Sequence, residues 1–208
     1  MSHILIADDH TLVRAGLKQV LNEWKGLSSL REASNGQEVF QELAEAPCDV
    51  LILDLNLGDQ SGFEVLKQVR QQYPQVAVLI LTMHSEQQYA TRMLKAGAAG
   101  FLNKGSAAEE LLLAVQKIAR GGRYITQSLA EQLVMDIGQE ETELHKRLSD
   151  REFEVFCQIA EGKKNKEIAE YLVLSEKTIS TYQSRILEKM NLKNRSAIIH
   201  YAIEHQLI

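Results

Sequence analysis

The stretch Val50-Leu51-Ile52-Leu53-Asp54 is an unbroken apolar run that ends on a carboxylate. A second run, Ile4-Leu5-Ile6-Ala7, ends on the acidic pair Asp8-Asp9. A carboxylate in such a place is costly to bury unless it is solvated, paired or bound to a metal. The two runs predict neighbouring buried strands that bring acidic groups to one edge of a sheet, where open α/β sheets bind ligands. The pattern indicates a Mg²⁺-dependent phosphoryl site.

Up to about residue 121, short apolar runs alternate with segments of helical period. Strands are predicted at 3–8, 28–33, 49–54, 77–82 and 100–103. Helices are predicted at 11–24, 36–46, 62–72, 86–97 and 107–120. Five strands that alternate with five helices predict an α/β fold, a doubly wound five-stranded parallel sheet covered on both faces.

Local signals mark where several of these helices begin and end. Capping-box patterns, in which a serine precedes a Glu or Gln by three positions, occur at Ser61, Ser85, Ser106 and Ser149. Glycines that suit the left-handed position after a helix are Gly97 and Gly121.

The rest of the chain reads differently. Residues 122–147 form a predicted linker that contains an amphipathic helix at 128–137 and then a polar, acidic stretch. From residue 148 onward the pattern predicts a small all-α domain with helices at 150–160, 166–172, 176–190 and 195–205. We therefore expect two domains, 1–121 and 148–208.

Composition limits the possible functions. The chain has 208 residues, a net charge of −5, 45% hydrophobic and 25% charged residues, which are ordinary values for a globular protein. No apolar stretch approaches the roughly 20 residues that span a bilayer, and no signal peptide is visible, so we expect a cytoplasmic protein without a membrane partner. Cys48 and Cys157 are isolated, which favours reduced, structural thiols.

The strand ends then match a family. Asp8-Asp9, Asp54, Thr82 and Lys104 follow or close the first, third, fourth and fifth predicted strands. This ordered set resembles the receiver domain of bacterial two-component response regulators, which has a flavodoxin-like fold. Physical chemistry points the same way, since converging carboxylates favour a hard divalent cation, and an ammonium and a hydroxyl can hold phosphoryl oxygens.

The resemblance implies a role for each residue. Asp54 would accept the phosphoryl group, with Thr82 and Lys104 assisting at its oxygens. Asp9 would bind Mg²⁺ directly and Asp8 mainly through water, while Asp54 and the backbone carbonyl of Asn56 would complete the protein ligands. Thr82 and the aromatic ring at Phe101 would form the conformational switch.

Three positions depart from the receiver pattern. Gly58 stands where the family usually has proline, and Gly105 also replaces a common proline. Phe101 lacks the hydroxyl of the tyrosine often found at the switch position, and it could equally be a plain core residue. These changes leave phosphorylation expected and put its coupling to output in doubt.

The C-terminal part resembles the LuxR-type helix-turn-helix. The motifs are Leu148-Ser-Asp-Arg-Glu-Phe-Glu-Val, then Asn165-Lys-Glu-Ile-Ala-Glu-Tyr-Leu, then Leu174-Ser-Glu-Lys-Thr-Ile-Ser-Thr-Tyr, in that order. Together with the receiver they indicate the NarL/FixJ class of response regulators. Ser175 is the expected N-cap of the recognition helix, and Asn165 is a candidate substitute for the Ser/Thr cap that the family has where Lys164 stands.

Helical periodicity assigns the faces of the recognition helix. Ile179, Ile186 and Met190 form the expected core side. The DNA-facing residues expected on the recognition helix are Lys177, Thr178, Ser180, Thr181, Ser184 and Arg185, with Ser180, Thr181 and Ser184 nearest the bases. The residues that flank the helix-turn-helix and are expected to contact phosphates are Lys163, Lys164, Lys166, Lys193 and Arg195. Many relatives carry Lys where Ser180 stands. Residues 148–208 hold nine basic and nine acidic side chains, so DNA contact must come from local clustering.

The sequence thus predicts a DNA-binding transcriptional response regulator rather than an enzyme, activated by phosphoryl transfer from a histidine kinase to Asp54. Expected partners are promoter DNA, the kinase and a second copy of the chain. The alternative is a phosphorylation-independent regulator with a degenerate receiver that responds to a ligand or partner. A phosphohydrolase is disfavoured, because no second acid is placed for turnover. The apolar residues of the last helix, including Ile198 and Ile203, could serve a dimer surface or the core.

Overall fold

The first part of the chain is built around a five-stranded, all-parallel sheet with the strand order β2-β1-β3-β4-β5. In the computed structural model, which describes residues 1–58, 60–84, 86–136, 143–205 and 207, the strands are β1 Ser2–Ala7, β2 Leu27–Ala33, β3 Val50–Leu53, β4 Ala77–Thr82 and β5 Gly100–Asn103. The prediction of the fold class and of all five strands is confirmed, with shifts of one residue at some ends.

Ten α-helices and one 3₁₀ helix occur among the described residues. They are α1 Thr11–Asn22, α2 Gly36–Glu45, α3 Gly62–Gln72, α4 Glu86–Lys95, α5 Ala108–Ala119, α6 Gln127–Asp136, the 3₁₀ helix Leu144–Arg147, α7 Asp150–Ala160, α8 Asn165–Tyr171, α9 Glu176–Lys189 and α10 Arg195–Glu204. None of the helices described is long and apolar enough to span a membrane.

Burial explains why the central strands are apolar without alternation. Ile4, Leu5 and Ile6 of β1 are all 0% exposed, so both faces of the sheet are covered. On one face, Ile4, Ile6 and Ile52 join a cluster with Leu21 of α1 and Val115 of α5. Helices on both faces leave the carboxyl edge of the sheet as the place for polar groups.

The predicted caps have mixed outcomes. Ser149 forms the full capping box with Glu152, and Ser61 caps α3 by accepting from the backbone N–H of Phe63. Gly97 and Gly121 adopt the left-handed conformation after α4 and α5, with φ of 103° and 82°. The prediction at Ser106 is wrong, because Ala107 precedes α5 and no side chain caps it. Ser85 lies outside the described residues.

The chain divides into two compact units, Met1–Glu131 and Gln132–Ile208. The predicted linker helix is present as α6, and the division falls within it. The segment before α6 belongs to the first unit: the Tyr124 backbone N–H donates to Ala99, and its hydroxyl donates to Glu110 at 3.0 Å. Residues 137–142 of the predicted linker lie outside the described residues.

The second unit is all-α, as predicted. Its core includes Phe156 of α7, Ile168 of α8 and Ile198 of α10, all 0% exposed. Ile203 of α10 is 59% exposed, so this helix gives part of its apolar surface to the core and leaves part outside. Cys157 in this unit and Cys48 in the first are buried free thiols, and burial raises the pKa of the Cys48 thiol to about 11.

Val173, in the turn between α8 and α9, adopts a left-handed backbone conformation with φ of 52°. This conformation costs an L-residue with a Cβ about 1–2 kcal/mol, and asparagine tolerates it better than a β-branched residue. Val173 is 61% exposed, so replacing it loses little packing.

We expect Val173→Asn to stabilise the second unit by about 1 kcal/mol. Hydrogen exchange of the buried amides of α7 to α9 under urea measures this effect. Val173→Ala is the control, since alanine has a Cβ like asparagine but lacks the polar side chain that lets asparagine tolerate this conformation. The single tryptophan, Trp24, lies in the first unit, so its fluorescence reports the unfolding of that unit. The first unit should unfold at the same urea concentration in every variant. Equal stability of the Asn and Ala variants would contradict the advantage assigned to asparagine in the left-handed conformation.

Glu152 of α7 is 3% exposed, and one of its carboxylate oxygens accepts from Lys189 Nζ at 2.7 Å and from the Ser149 backbone N–H at 2.7 Å. Burial acts against the charge, but these contacts outweigh it and hold the pKa of Glu152 below its ordinary value. The charged form therefore stabilises the fold above the pKa that glutamate has in the unfolded chain. That stabilisation is lost as pH falls through the lower pKa of the folded state.

We therefore expect Glu152→Gln to cost about 1–3 kcal/mol at pH 7, and the deficit to disappear in acid, below the folded pKa of Glu152. The same hydrogen-exchange measurement at neutral and acidic pH tests this expectation. Glu188→Gln, on the exposed side of α9, should have no effect at either pH. A Glu152→Gln deficit that persists unchanged in acid would show that the carboxylate charge is not its cause.

Candidate functional site

The carboxyl edge of the sheet gathers the predicted phosphoryl-site residues. β1 and β3 are neighbours, and the Asp54 backbone N–H donates to the Ala7 carbonyl at 2.9 Å, which brings the residues after the two strands side by side. β4 and β5 follow in the sheet, and the Lys104 backbone N–H donates to the Thr82 carbonyl at 2.8 Å. Parallel strand order thus delivers residues far apart in sequence to one edge.

Lys104 connects two buried carboxylates. Its Nζ lies 2.5 Å from Asp54 Oδ2 and 2.6 Å from Asp8 Oδ2. Asp8 is 1% exposed and Asp54 is 4% exposed. Two carboxylates that share one ammonium in a buried place form a site of net negative charge, which favours a further cation.

The pKa values reflect this arrangement. Burial raises the pKa of Asp54 above its ordinary value, while the Lys104 ammonium acts in the opposite direction. Burial also works against the Lys104 charge, but the Asp54 and Asp8 carboxylates outweigh it and raise the pKa of the ammonium. Lys104 therefore carries its positive charge at neutral pH, ready for an anionic group.

His10 is a site residue that the sequence reasoning missed. One ligand atom from each of Asp8, Asp9, His10 and Asp54 can be chosen so that all lie within 4.8 Å of one another. His10 Nδ1 is 2.6 Å from Asp9 Oδ1, and its backbone N–H donates to Asp8 Oδ1 at 2.8 Å. Its place directly after the acidic pair was the available signal.

The donor set suits a hard divalent cation. It consists chiefly of carboxylate oxygens, and the buried Oδ1 of Asp9 accepts no hydrogen bond of good geometry despite the nearby imidazole. Oxygen ligands of this kind are those that Mg²⁺ prefers. The residues at this edge therefore fit the predicted ion.

The loop after β3 is shaped by two glycines. Gly58 has φ of 72°, which the ring of a proline would forbid, and a Cβ on it would stand 3.8 Å from Asp9 Oδ2. Gly62 begins α3 against the end of β3, where a Cβ would clash with the Asp54 carbonyl oxygen and lie 2.6 Å from Leu55 Cα. Gly58 thus gives the loop a conformation that the usual proline could not, and Gly62 lets α3 pack beside Asp54.

Thr82 and Phe101 occupy the predicted switch positions. Thr82 is 1% exposed at the end of β4, and its hydroxyl accepts from the His84 backbone N–H at 3.4 Å. The Phe101 side chain is 0% exposed, so its ring is already inside the core. Met83, between Thr82 and His84, is 73% exposed beside this edge.

In the second unit, α9 has the two faces that the sequence predicts. Ile179, Ile186 and Met190 are 0% exposed, and Ser175 caps the helix by accepting from the Thr178 backbone N–H at 3.0 Å. The exposed residues of the opposite side are Lys177, Ser180, Thr181, Ser184, Arg185 and Glu188. Thr178 is half-buried, and its hydroxyl pairs with that of Ser175.

The hydroxyl groups of this face are partly used within the helix. Ser180, Thr181 and Ser184 each donate at 3.0 Å to the carbonyl four residues earlier. In this arrangement they offer acceptor lone pairs outward. Hydrogen-bond donors with full charge come instead from Lys177 and Arg185, which form no ion pair with any described residue.

The predicted phosphate-contacting residues fall into two groups. Exposed cations with no ion pair to the described part of the chain are Lys164, Lys166 and Lys193. Lys163 and Arg195 are half-buried and engaged. Lys163 Nζ lies 2.9 Å from Glu161 Oε2, and Arg195 donates to Asn165, Gln183 and the Lys163 carbonyl. The expectation that Asn165 caps α8 is wrong, because Lys164 precedes the helix and Asn165 bonds elsewhere.

Two families match the chain. The response regulator receiver domain matches residues 4–116. The luxR family of bacterial regulatory proteins matches residues 146–202. The first covers the parallel sheet and its carboxyl edge, and the second covers the helices from the 3₁₀ turn to α10.

Full-length relatives share both parts. The response regulator UvrY of Escherichia coli is 34% identical, over 100% of this chain and 96% of its own. The oxygen regulatory protein NreC of Staphylococcus epidermidis is 36% identical, over 99% of this chain and 98% of its own.

A solved structure is also similar along the whole chain. RcsB from Salmonella enterica serovar Typhimurium, bound to promoter rprA in the presence of phosphomimetic BeF₃⁻, is 26% identical with a TM-score of 0.67, and the match covers 97% of this chain and 98% of that one. The receiver family matches the first half of the chain, the luxR family matches residues 146–202, and the relatives are similar from end to end. The chain therefore belongs to the response regulators with a LuxR-type DNA-binding domain.

Proposed function

We propose that Asp54 accepts a phosphoryl group from a histidine kinase and that this modification controls binding of the second unit to promoter DNA. The observation that carries the proposal is the buried contact of Lys104 with both Asp54 and Asp8, at 2.5 and 2.6 Å. A carboxylate nucleophile, an acidic cation site and a fixed ammonium are the parts that phosphoryl transfer to a carboxylate requires.

In the proposed transfer, an oxygen of Asp54 attacks phosphorus and forms an acyl phosphate. The bond between phosphorus and the kinase imidazole breaks, and the imidazole nitrogen leaves with the electron pair and takes up a proton. The Lys104 ammonium and the Thr82 hydroxyl would hold the phosphoryl oxygens. Lys104 needs only a small displacement for this role, since it already lies at Asp54.

The carboxylates of Asp8, Asp9 and Asp54 and the backbone carbonyl of Asn56 would hold Mg²⁺. When bound, the ion would offset the negative charge that builds up as the phosphoryl group approaches. The backbone N–H of Asn56 already hydrogen-bonds to Asp54, so Asn56 lies close enough to contribute. His10 would remain next to Asp9 at the exposed side of the site.

The output would be major-groove binding by α9. Lys177, Ser180, Thr181, Ser184 and Arg185 would face the bases. The exposed Lys164, Lys166 and Lys193 would lie at the phosphates. RcsB structures contain promoter DNA and pairs of RcsB dimers on DNA, which supports promoter DNA and homodimerisation for this chain. A protein with these partners would act in the cytoplasm.

A phosphorylation-independent regulator is the second candidate, and one observation favours it. The Phe101 ring is 0% exposed, which is the burial expected of a plain core residue. In this candidate, the receiver would instead respond to a ligand or partner.

DNA binding with and without a small acyl phosphate and Mg²⁺ separates the two candidates. The DNA is a duplex that the phosphodonor-treated wild-type protein selects from a random-sequence pool. We expect the donor to raise wild-type affinity about tenfold, a typical coupling between two sites, and to leave Asp54→Asn at the untreated level.

Asp49→Asn is the matched control, because this carboxylate precedes β3 at the opposite edge of the sheet and accepts from the His3 backbone N–H. It should respond to the donor like the wild type. High affinity of Asp54→Asn equal to that of the treated wild type would favour the phosphorylation-independent regulator.

A further inference from the structure

Arg195, the first residue of α10, lies where three segments of the helix-turn-helix meet. Its Nη1 donates to Asn165 Oδ1 at 2.9 Å and to Gln183 Oε1 at 3.2 Å, and its Nη2 donates to the Lys163 carbonyl. These acceptors belong to α8, to α9 and to the loop before α8. One planar guanidinium therefore ties the recognition helix to both of its neighbours.

The acceptors are all neutral oxygens, and no described carboxylate forms an ion pair with Arg195. Three of the five N–H groups of the guanidinium are used in these contacts. The side chain is half-buried, and burial lowers the pKa of the guanidinium from its ordinary value. The Arg195 guanidinium is thus hydrogen-bonded to groups within the domain, whereas Lys193, two positions earlier, is exposed.

Asn165 passes this contact on to the recognition face. Its Oδ1 accepts from Arg195, which fixes the orientation of the amide and turns Nδ2 toward Ser180 Oγ at 3.3 Å. Ser180 Oγ in turn donates to the Glu176 carbonyl at 3.0 Å. Arg195 thus donates to Asn165, Asn165 donates to Ser180, and Ser180 donates to the Glu176 carbonyl. These hydrogen bonds connect Arg195 to the first turns of α9.

We propose that Arg195, through Asn165, is a positioning residue that sets the orientation of α9 and of Ser180 for base recognition, instead of a phosphate contact. The inference rests on the proposed DNA binding and deepens it. It assigns sequence selectivity to a side chain that touches no base, and it separates Arg195 from the exposed lysines, which supply affinity.

Arg195→Lys tests the assignment because it keeps the positive charge and removes the planar fork. The readouts, made with the full chain and phosphodonor, are affinity for a duplex selected by the wild type, affinity for a scrambled duplex, and the dependence of both on salt. We expect affinity for the selected duplex to fall about tenfold, while affinity for the scrambled duplex and the salt slope stay unchanged.

Lys193→Ala is the matched comparison for a phosphate contact. It should weaken binding to both duplexes alike and lower the salt slope by about one. Asn165→Ala leaves every charge in place and should reproduce the loss of selectivity seen in Arg195→Lys. The double variant should lose no more than either single one, because both interrupt one chain of contacts.

A purely structural role for Arg195 would reduce the folded fraction and so lower both affinities together, with the ratio between the duplexes unchanged. That outcome, or wild-type selectivity in Arg195→Lys and Asn165→Ala, would overturn the inference alone. A wild-type protein that bound the selected and scrambled duplexes equally would overturn the proposed function, and this inference with it.

Discussion

Asp8 and Asp54 are buried side by side at the carboxyl edge of a parallel sheet, and the Lys104 ammonium lies within 2.6 Å of both. Like charges so close would repel and destabilise the fold if no cation compensated them. The sheet order places β1 beside β3, which makes the repulsion unavoidable. The same constraint underlies the proposed chemistry, because the cations that compensate these carboxylates would also attract the anionic phosphoryl group.

Much of the fold could be predicted because its signals are local. Apolar runs of strand length, helical periodicity and turn glycines identify all five strands and the ten described α-helices within one or two residues, but not the 3₁₀ helix Leu144–Arg147. The misplaced cap at Ser106 shows where such signals fail: the pattern of a serine followed by a glutamate is present, but α5 begins two residues later, with Ala107 before it. A capping pattern offers possible hydrogen bonds, and the path of the chain decides whether they form.

The site residues that follow strands could be predicted from the sequence. The residues whose position depends on contacts with distant parts of the sequence could not. Asp54, Thr82 and Lys104 follow from strand ends that a parallel sheet must bring to one edge. The place of His10 beside the site becomes clear only in the folded structure, where its imidazole lies next to the carboxylate cluster. Arg195 is predicted to contact phosphate because it is basic and near the recognition helix, and its contacts within the domain reach partners 12 to 32 positions away in sequence. No local pattern indicates such contacts.

Covalent phosphorylation of the full-length protein tests the central claim most directly. Intact-mass spectrometry after incubation with a small acyl phosphate should show one added phosphoryl group on the wild type in the presence of Mg²⁺, and none when a chelator removes the ion. Asp54→Asn should gain no group under either condition. Uptake by Asp54→Asn equal to that of the wild type, or no uptake by the wild type with Mg²⁺ present, would contradict the account of Asp54 as the phosphoacceptor.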